Sequence, residues 1–229
     1  MNKPAHASEE MAAFFDKRAD GYEQHMLATV EDPGAFYASL AEALPNEPIR
    51  PVILDLGVGT GLELDAVFER FPRASVTGID VSAGMIRRLG DKRRAWSKQV
   101  RTIHGSFLTL DLGRCVYDAV ISAMALHHWT PSIKLGLYRR IQAALRPGSA
   151  FINADYVVSP DEAASLQQMF ENADCEQDHL RHIDLPLSED QEIGLLRAAG
   201  FDPVAVTFRR ANACTFRATV PPEAREATG

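Results

Sequence analysis

Pro51–Leu64 reads P-V-I-L-D-L-G-V-G-T-G-L-E-L, and the fold turns on this stretch. Val52, Ile53 and Leu54 form a short apolar run of the kind found in a strand buried on both faces. The run ends in Asp55, then Gly57, Gly59 and Gly61 at alternate positions, and a helix is expected over Leu62–Phe71, stopped by Pro72. Glycines that follow a strand remove Cβ atoms and permit positive φ, so a ligand can approach the backbone. The helix N-terminus behind them presents unpaired N–H groups. Such a stretch serves nucleotides or nucleosides. The dinucleotide fingerprint is spaced G-x-G-x-x-G, whereas this run is G-x-G-x-G. Asp55 would repel a pyrophosphate, yet it could hold a water or an ammonium group.

Outward from this stretch, the chain alternates strands and helices. Expected strands are Ser75–Ile79, Arg101–His104, Asp118–Ser122 and Ala150–Ala154, with helices over Ser82–Gly90 and Pro131–Leu145, the latter stopped by Arg146-Pro147-Gly148. That rhythm specifies an open parallel sheet with right-handed crossovers and helices on both faces. Ser188-Glu189-Asp190-Gln191 has the spacing of a capping box and starts a helix that Gly200 ends. Phe201–Phe208 and Asn212–Val220 then read as two strands joined by Arg209-Arg210-Ala211, a link short enough to force them antiparallel. Two helices precede the first strand, one from Ser8-Glu9-Glu10 through Tyr22 and one over Pro33–Leu44. Residues 1–50 are therefore expected to form a helical cap on a domain over 51–220. A polar insertion at 156–187, with one helix near Ala163–Asn172, reads as a lid, and 221–229 as a disordered tail.

Bulk properties narrow the function. The 229 residues fit one α/β domain. The net charge is −7, and the densest basic run, Arg87-Arg88 to Lys92-Arg93-Arg94, reads as a solvated helix face, so a nucleic-acid partner is disfavoured. Cys115, Cys175 and Cys214 are scattered without metal-ligand spacing, which argues against a disulfide framework or structural zinc and suits a reducing, cytoplasmic setting. No apolar run approaches a membrane span, and the N-terminal residues lack a signal-peptide apolar core. Asp80, ending the second strand 25 positions after Asp55, stands where a carboxylate can accept both ribose hydroxyls of a nucleoside.

Five blocks in order now resemble the class I S-adenosylmethionine-dependent methyltransferases, over about residues 11–218. They are V-I-L-D-L-G-V-G-T-G, V-T-G-I-D-V-S-A-G-M-I, Y-D-A-V-I-S-A-M-A-L-H-H-W, L-R-P-G-S-A-F-I-N-A-D and L-L-R-A-A-G-F. The resemblance implies a Rossmann-like fold with a seven-stranded, mostly parallel sheet ending in an antiparallel hairpin. It also implies S-adenosyl-L-methionine as methyl donor and a small-molecule acceptor methylated by direct in-line displacement, with no metal expected. Gly57, Gly59 and Gly61 would pass under the methionine and ribose, Asp55 would hold the ammonium group, and Asp80 the ribose. Met85 would pack on the adenine, and Ser106 and Phe107 would lie against its amino group, serine standing where the family often has an acid. Ala123 would line the methionine end. Arg18 and Tyr22, with Phe15, would close over the cofactor from the N-terminal helix, unless they only pack or solvate that helix. Val58 stands where the family usually has Cys or another small residue.

Methyl transfer from a sulfonium needs alignment first, and a base only if the acceptor must lose a proton. His127 and His128, just past the fourth strand, are the candidate bases, with loop positioning as the other reading. Asp155 and Tyr156 end the fifth strand and face the same cleft. His179, His182 and Asp184 in the insertion are further candidates. No N/D-P-P-Y/F segment, no Lys-Asp-Lys-Glu arrangement and no strand-four carboxylate of a metal-dependent catechol-type enzyme is evident. The readings left beside small-molecule methyl transfer are a non-catalytic S-adenosylmethionine-binding protein and an RNA or protein methyltransferase. An NAD(P)-dependent oxidoreductase would need G-x-G-x-x-G and a continued parallel sheet. The chain is compatible with a homodimer.

Overall fold

The computed structural model describes residues 10–92, 94–172 and 182–222. In chain order the elements are α1 (Met11–Arg18), α2 (Tyr22–Thr29), α3 (Pro33–Ala43), β1 (Val52–Leu56), α4 (Leu64–Arg70), β2 (Ser75–Asp80), α5 (Ala83–Lys92), β3 (Val100–His104), β4 (Tyr117–Ala123), α6 (Pro131–Ala144), β5 (Leu145–Val158), α7 (Pro160–Asn172), β6 (Leu187–Ser188), α8 (Glu189–Ala198), β7 (Val204–Arg210) and β8 (Ala213–Thr219). The sheet runs β3-β2-β1-β4-β5-β8-β7, and β6 pairs with the end of β5. Strands β3, β2, β1, β4 and β5 are mutually parallel, while β8 is antiparallel to β5 and β7 antiparallel to β8. The expected seven strands are therefore joined by a two-residue eighth, β6, too short to carry an alternation that sequence could show.

Ile53, Leu54 and Leu56 of β1 are fully buried, as a central strand covered on both faces requires. One face packs under α3 and α4, through Phe36, Leu40, Val67 and Phe68. The other packs under α6 and α8, through Leu137, Tyr138, Ile141 and Leu196. α3 is thus a structural layer of the domain, pinned to β8 by a buried hydroxyl pair, Ser39 Oγ to Thr215 Oγ1 at 2.6 Å. Only α1 and α2 act as a cap.

Three local expectations need correction. The helix expected through Tyr22 breaks at Ala19–Gly21, where the Gly21 N–H donates to the Arg18 carbonyl at 3.1 Å, and a second helix starts at Tyr22. Glycine carries the highest backbone-entropy cost of helix continuation apart from proline's steric block. The fifth strand is longer than expected: it begins at Leu145, directly after α6. Arg146-Pro147-Gly148 lie within an irregularity of the β4–β5 pairing, between Tyr117↔Leu145 and Ala119↔Ala150. Pro147 interrupts the ladder there without ending the strand. The hairpin between β7 and β8 turns on Ala211-Asn212, with Ala211 at φ 47, so Arg209 and Arg210 are strand residues. Residues 223–229 of the tail expected at 221–229, Ser8 of the first cap, and His179 lie outside the described residues. No described helix is long and apolar enough to cross a membrane.

Candidate active site

The carboxyl ends of β1, β2 and β4 converge on a cleft of about 490 Å³ lined by Gly57, Gly59, Asp80, Met85, Phe107 and Trp129, among others. The glycine loop is folded back by hydrogen bonds from the Gly57 and Val58 N–H groups to the Ile79 carbonyl, at 2.8 and 3.2 Å. Gly57 sits at φ +76, and a Cβ there would lie 2.5 Å from the Ala125 Cβ. Val58, which departs from the family pattern, has a structural partner. It covers Gly78 of β2, where a Cβ would stand 2.7–2.9 Å from the valine side chain.

Asp80 accepts hydrogen bonds from the Gly59 N–H (2.8 Å, Oδ2) and the Ser82 N–H (2.8 Å, Oδ1). Burial raises its pKa, and these two donors oppose the rise. Each carboxylate oxygen keeps a lone pair for a ligand hydroxyl. Met85 and Phe107 are buried against the same cleft. Ser106 is not: its hydroxyl accepts from the Leu108 N–H at 3.2 Å, capping its own turn, and it does not line the cleft. Trp129, the last residue of the Y-D-A-V-I-S-A-M-A-L-H-H-W block, also lines the cleft. Its buried Nε1–H has no acceptor among the described residues.

At the other end of the loop, a smaller recess of about 220 Å³ is lined by Gly57–Glu63, Tyr22, Tyr37 and Ala123. Asp55, in β1 just before the loop, is completely buried. Burial, then the charge and hydrogen bonding of Glu63, then Asp80, push its pKa well above the ordinary carboxylate range. In sequence Glu63 falls inside the helix expected from Leu62, and no spacing there marks it as a partner of Asp55.

Helices α1 and α2 lie over these recesses. Asp16 of α1 accepts from Ser82 Oγ (2.6 Å) and the Gly84 N–H (2.7 Å), docking the cap on the N-terminus of α5. The Ser82 hydrogen bond, more than any other contact, lowers its pKa. Arg88 to Asp20 at 3.1 Å, and Lys92 to Glu23, extend the attachment. Tyr22 reaches the cleft, the recess and a third, larger cavity of about 1340 Å³, partly open to solvent. Arg18 lines this third cavity, away from the cofactor cleft, with its guanidinium 3.5 Å from the centroid of the Phe14 ring.

The third cavity meets the cleft at Phe15, Tyr22, Met124 and His128, which line both. Met124 directly follows β4 and holds φ +51, an uncommon conformation for a residue with a side chain. The far wall carries the titratable groups. His127 Nδ1 is 2.5 Å from Asp155 Oδ1, and Asp155 also accepts from the Leu126 N–H (3.0 Å) and the Tyr156 N–H (2.9 Å). Burial works to raise the Asp155 pKa, but His127 and the other donors bring it below the ordinary value. The His127 imidazole is thereby oriented with Nε2 turned to the cavity. His128 Nδ1 lies 2.8 Å from the Ile183 carbonyl, and burial lowers its pKa. The 182–186 segment crosses in front of both rings, tied down by the Leu185 N–H to the His127 carbonyl at 2.7 Å. His182 stacks on Phe14 at 3.5 Å between centroids, and burial lowers its pKa to about 4. Asp184, hydrogen-bonded by His128, is held at about 2. The cavity wall thus gathers His127, His128, Tyr156, His182 and Asp184 from three separate stretches of sequence, with Asp155 buried behind His127.

A family model described as a methyltransferase domain matches residues 53–148. The carboxy-S-adenosyl-L-methionine synthase of Nautilia profundicola is 27% identical over 72% of this chain and 75% of its own length. The malonyl-[acyl-carrier protein] O-methyltransferase of Xylella fastidiosa is 31% identical over 57% of this chain, which spans 42% of that protein. In fold, the chain matches the 1,6-didemethyltoxoflavin-N1-methyltransferase of Burkholderia thailandensis, solved with bound 1,6-didemethyltoxoflavin and S-adenosylhomocysteine. That match has a TM-score of 0.63 and 20% identity, covering 96% of this chain and 93% of the other. Other solved methyltransferases of similar fold are longer, the chain spanning 60–64% of them.

Proposed function

The chain belongs to the class I S-adenosylmethionine-dependent methyltransferases, and on that premise we propose that it transfers the methyl group to a small molecule held in the cavity beneath α1 and α2. The observation that carries this reading is the junction at Phe15, Tyr22, Met124 and His128. The cleft formed by the glycine loop and Asp80 meets there a second cavity with its own polar wall. An RNA or protein acceptor would have to thread beneath two helices that are fastened to α5. The similar proteins from Xylella and Burkholderia, named for small or carrier-linked acceptors, lend further support.

In this reading Asp80 takes the ribose hydroxyls, Met85 and Phe107 enclose the adenine, and Trp129 Nε1 donates to it. Gly57, Gly59, Gly61 and Ala123 line the methionine, whose ammonium lies over Asp55. Tyr22 covers the sulfonium, and Arg18 serves the acceptor. The acceptor's heteroatom attacks the methyl carbon from the third cavity. The methyl–sulfur bond breaks with its electron pair on sulfur, leaving S-adenosylhomocysteine. His127 Nε2 takes the acceptor's proton, and Asp155 is a positioning residue that fixes the ring and its tautomer. Alignment supplies most of the acceleration, and a positioned imidazole adds about 10²–10⁴-fold.

The test is formation of S-adenosylhomocysteine and a methylated product from a panel of phenols, carboxylic acids and heteroaromatic amines. His127→Ala is expected to lower kcat by that 10²–10⁴-fold while S-adenosylhomocysteine affinity holds. Asp155→Asn should shift the pH profile of kcat as well as its height. Product from a macromolecular fraction alone would overturn the small-molecule reading.

A further inference from the structure

We propose that His127, His128 and Asp184 form a binding site for one divalent transition-metal cation on the wall of the acceptor cavity. One ligating atom from each of the three residues lies within 4.8 Å of the other two. Asp184 Oδ1 is the hub: it stands 3.1 Å from His128 Nδ1, 3.6 Å from His127 Nε2 and 3.7 Å from His182 Nε2. Ligands about 2.0–2.1 Å from a tetrahedral ion stand about 3.3 Å from one another, so these separations bracket what an ion would impose.

The surroundings are built as a metal site's surroundings are. The His127 Nδ1 is occupied by Asp155, which is itself held by two backbone donors, and this leaves Nε2 as the free ligating nitrogen. A carboxylate behind an imidazole fixes its tautomer and raises its basicity toward a metal. Asp184 is placed by its neighbours: the Ile183 carbonyl lies against His128 Nδ1, and the Leu185 N–H binds the His127 carbonyl. A cation would take the place of the proton now between His128 Nδ1 and the Ile183 oxygen, leaving that carbonyl as a further oxygen donor beside it. His127 and His128 are buried, whereas the Asp184 side chain is 63% exposed, which gives an ion an entry path.

Two imidazoles with a carboxylate, and a third imidazole beside it, select zinc, cobalt, nickel or iron over the hard calcium and magnesium ions. The site uses the cavity that the preceding reading assigns to the acceptor, and its role there rests on that reading. With a cation bound, His127 is a ligand. The acceptor's hydroxyl or carboxyl group then loses its proton to water because its oxygen binds the cation. Without a cation, His127 Nε2 accepts that proton directly.

The test is a titration of chelator-treated, tag-free full chain with Co²⁺ alone, read by visible absorption, with no cofactor or acceptor present. Ligand-field bands that reach an end point at one equivalent and are quenched by Zn²⁺ are expected. His128→Ala and Asp184→Asn should each weaken the cobalt affinity at least tenfold. His25→Ala, a histidine of the same cavity outside the cluster, should leave it unchanged. Binding of S-adenosylhomocysteine to every variant, measured by calorimetry, separates a lost ligand from a lost fold, and the exposed Asp184 position gives the variant least able to disturb folding. Absence of the bands, or bands that survive both cluster variants, overturns the site. If chelator-treated enzyme still methylates an acceptor in that case, the metal inference alone has failed. If cobalt binds stoichiometrically but no acceptor is ever methylated, the metal site stands and the functional reading falls.

Discussion

Replacing Gly57 with alanine probes the closest contact in the cofactor cleft. At φ +76, an alanine carries the left-handed penalty of about 1–2 kcal/mol. Its Cβ would also lie 2.5 Å from the Ala125 Cβ, so the glycine loop and the turn after β4 must part by roughly an ångström, at an overpacking cost of about 1–3 kcal/mol. Gly59→Ala is the internal control. Gly59 has φ +52, but the nearest atoms to its Cβ would be the Gly57 carbonyl oxygen at 3.8 Å and Tyr22 Cε1 at 4.0 Å, so it carries the backbone penalty without the clash. For a domain of this size, about 2–4 °C of Tm is lost per kcal/mol. Gly57→Ala should therefore melt about 4–20 °C lower than the parent and Gly59→Ala about 2–8 °C lower. Gly57 and Ala125 line the same cleft, so parting them should also weaken S-adenosylhomocysteine binding at least tenfold by isothermal calorimetry. Equal losses of Tm in the two variants would show that the Ala125 contact does not constrain the loop, and the steric argument would fall.

Three further outcomes follow from the same geometry. Gly78→Ala should cost about 1–3 kcal/mol by pressing on Val58, and adding Val58→Ala should recover part of it. Strict additivity in a denaturant double-mutant cycle would refute that pairing. Asp80→Asn turns an amide N–H₂ toward a backbone N–H and removes a charged acceptor. The loss of about 1.5–3 kcal/mol should raise the Kd for S-adenosylhomocysteine roughly 10- to 150-fold, and a change below threefold by calorimetry would count against Asp80 as a ligand. Asp55, facing Glu63 just before α4 and Asp80 at the end of β2, keeps its proton in the folded chain at pH values where the unfolded chain has released it. Folding stability from this group is thus present below 3.8 and falls as pH rises toward its raised pKa. Glu63→Gln removes a repelling charge, so its Tm advantage over the parent should grow as pH rises above 3.8 toward the raised Asp55 pKa, and a pH-independent difference would refute the coupling.

Much of this molecule was legible along the chain because its signals are local. The apolar run at Val52–Leu54, the glycine spacing, Asp80 at a strand end and the capping box at Ser188, where the hydroxyl does accept from the Gln191 N–H, all depend on residues a few positions apart. Chain order then specified a parallel sheet with an antiparallel end, because a two- or three-residue link allows no other pairing. The same local reading misplaced what depends on neighbours in space. Ser106 looked like an adenine ligand, yet its hydroxyl is used by its own turn. Arg18 lines the third cavity and not the cleft, because the helix breaks at Gly21 and α1 takes its direction from Asp16 on α5.

The fold class was legible along the chain from short-range patterns of polarity and backbone freedom, and the cofactor from the resemblance of five ordered blocks to the class I methyltransferases. Which titratable groups share the third cavity follows from packing alone. Asp155 is 28 positions from His127, and Asp184 follows only after a further helix. Their meeting at hydrogen-bond distance comes from the parallel register of β4 with β5 and from the chain's return along β6. The same is true of Glu63 against Asp55 and Val58 over Gly78. A side chain's environment is set by what packs against it, and no spacing rule along the chain encodes that.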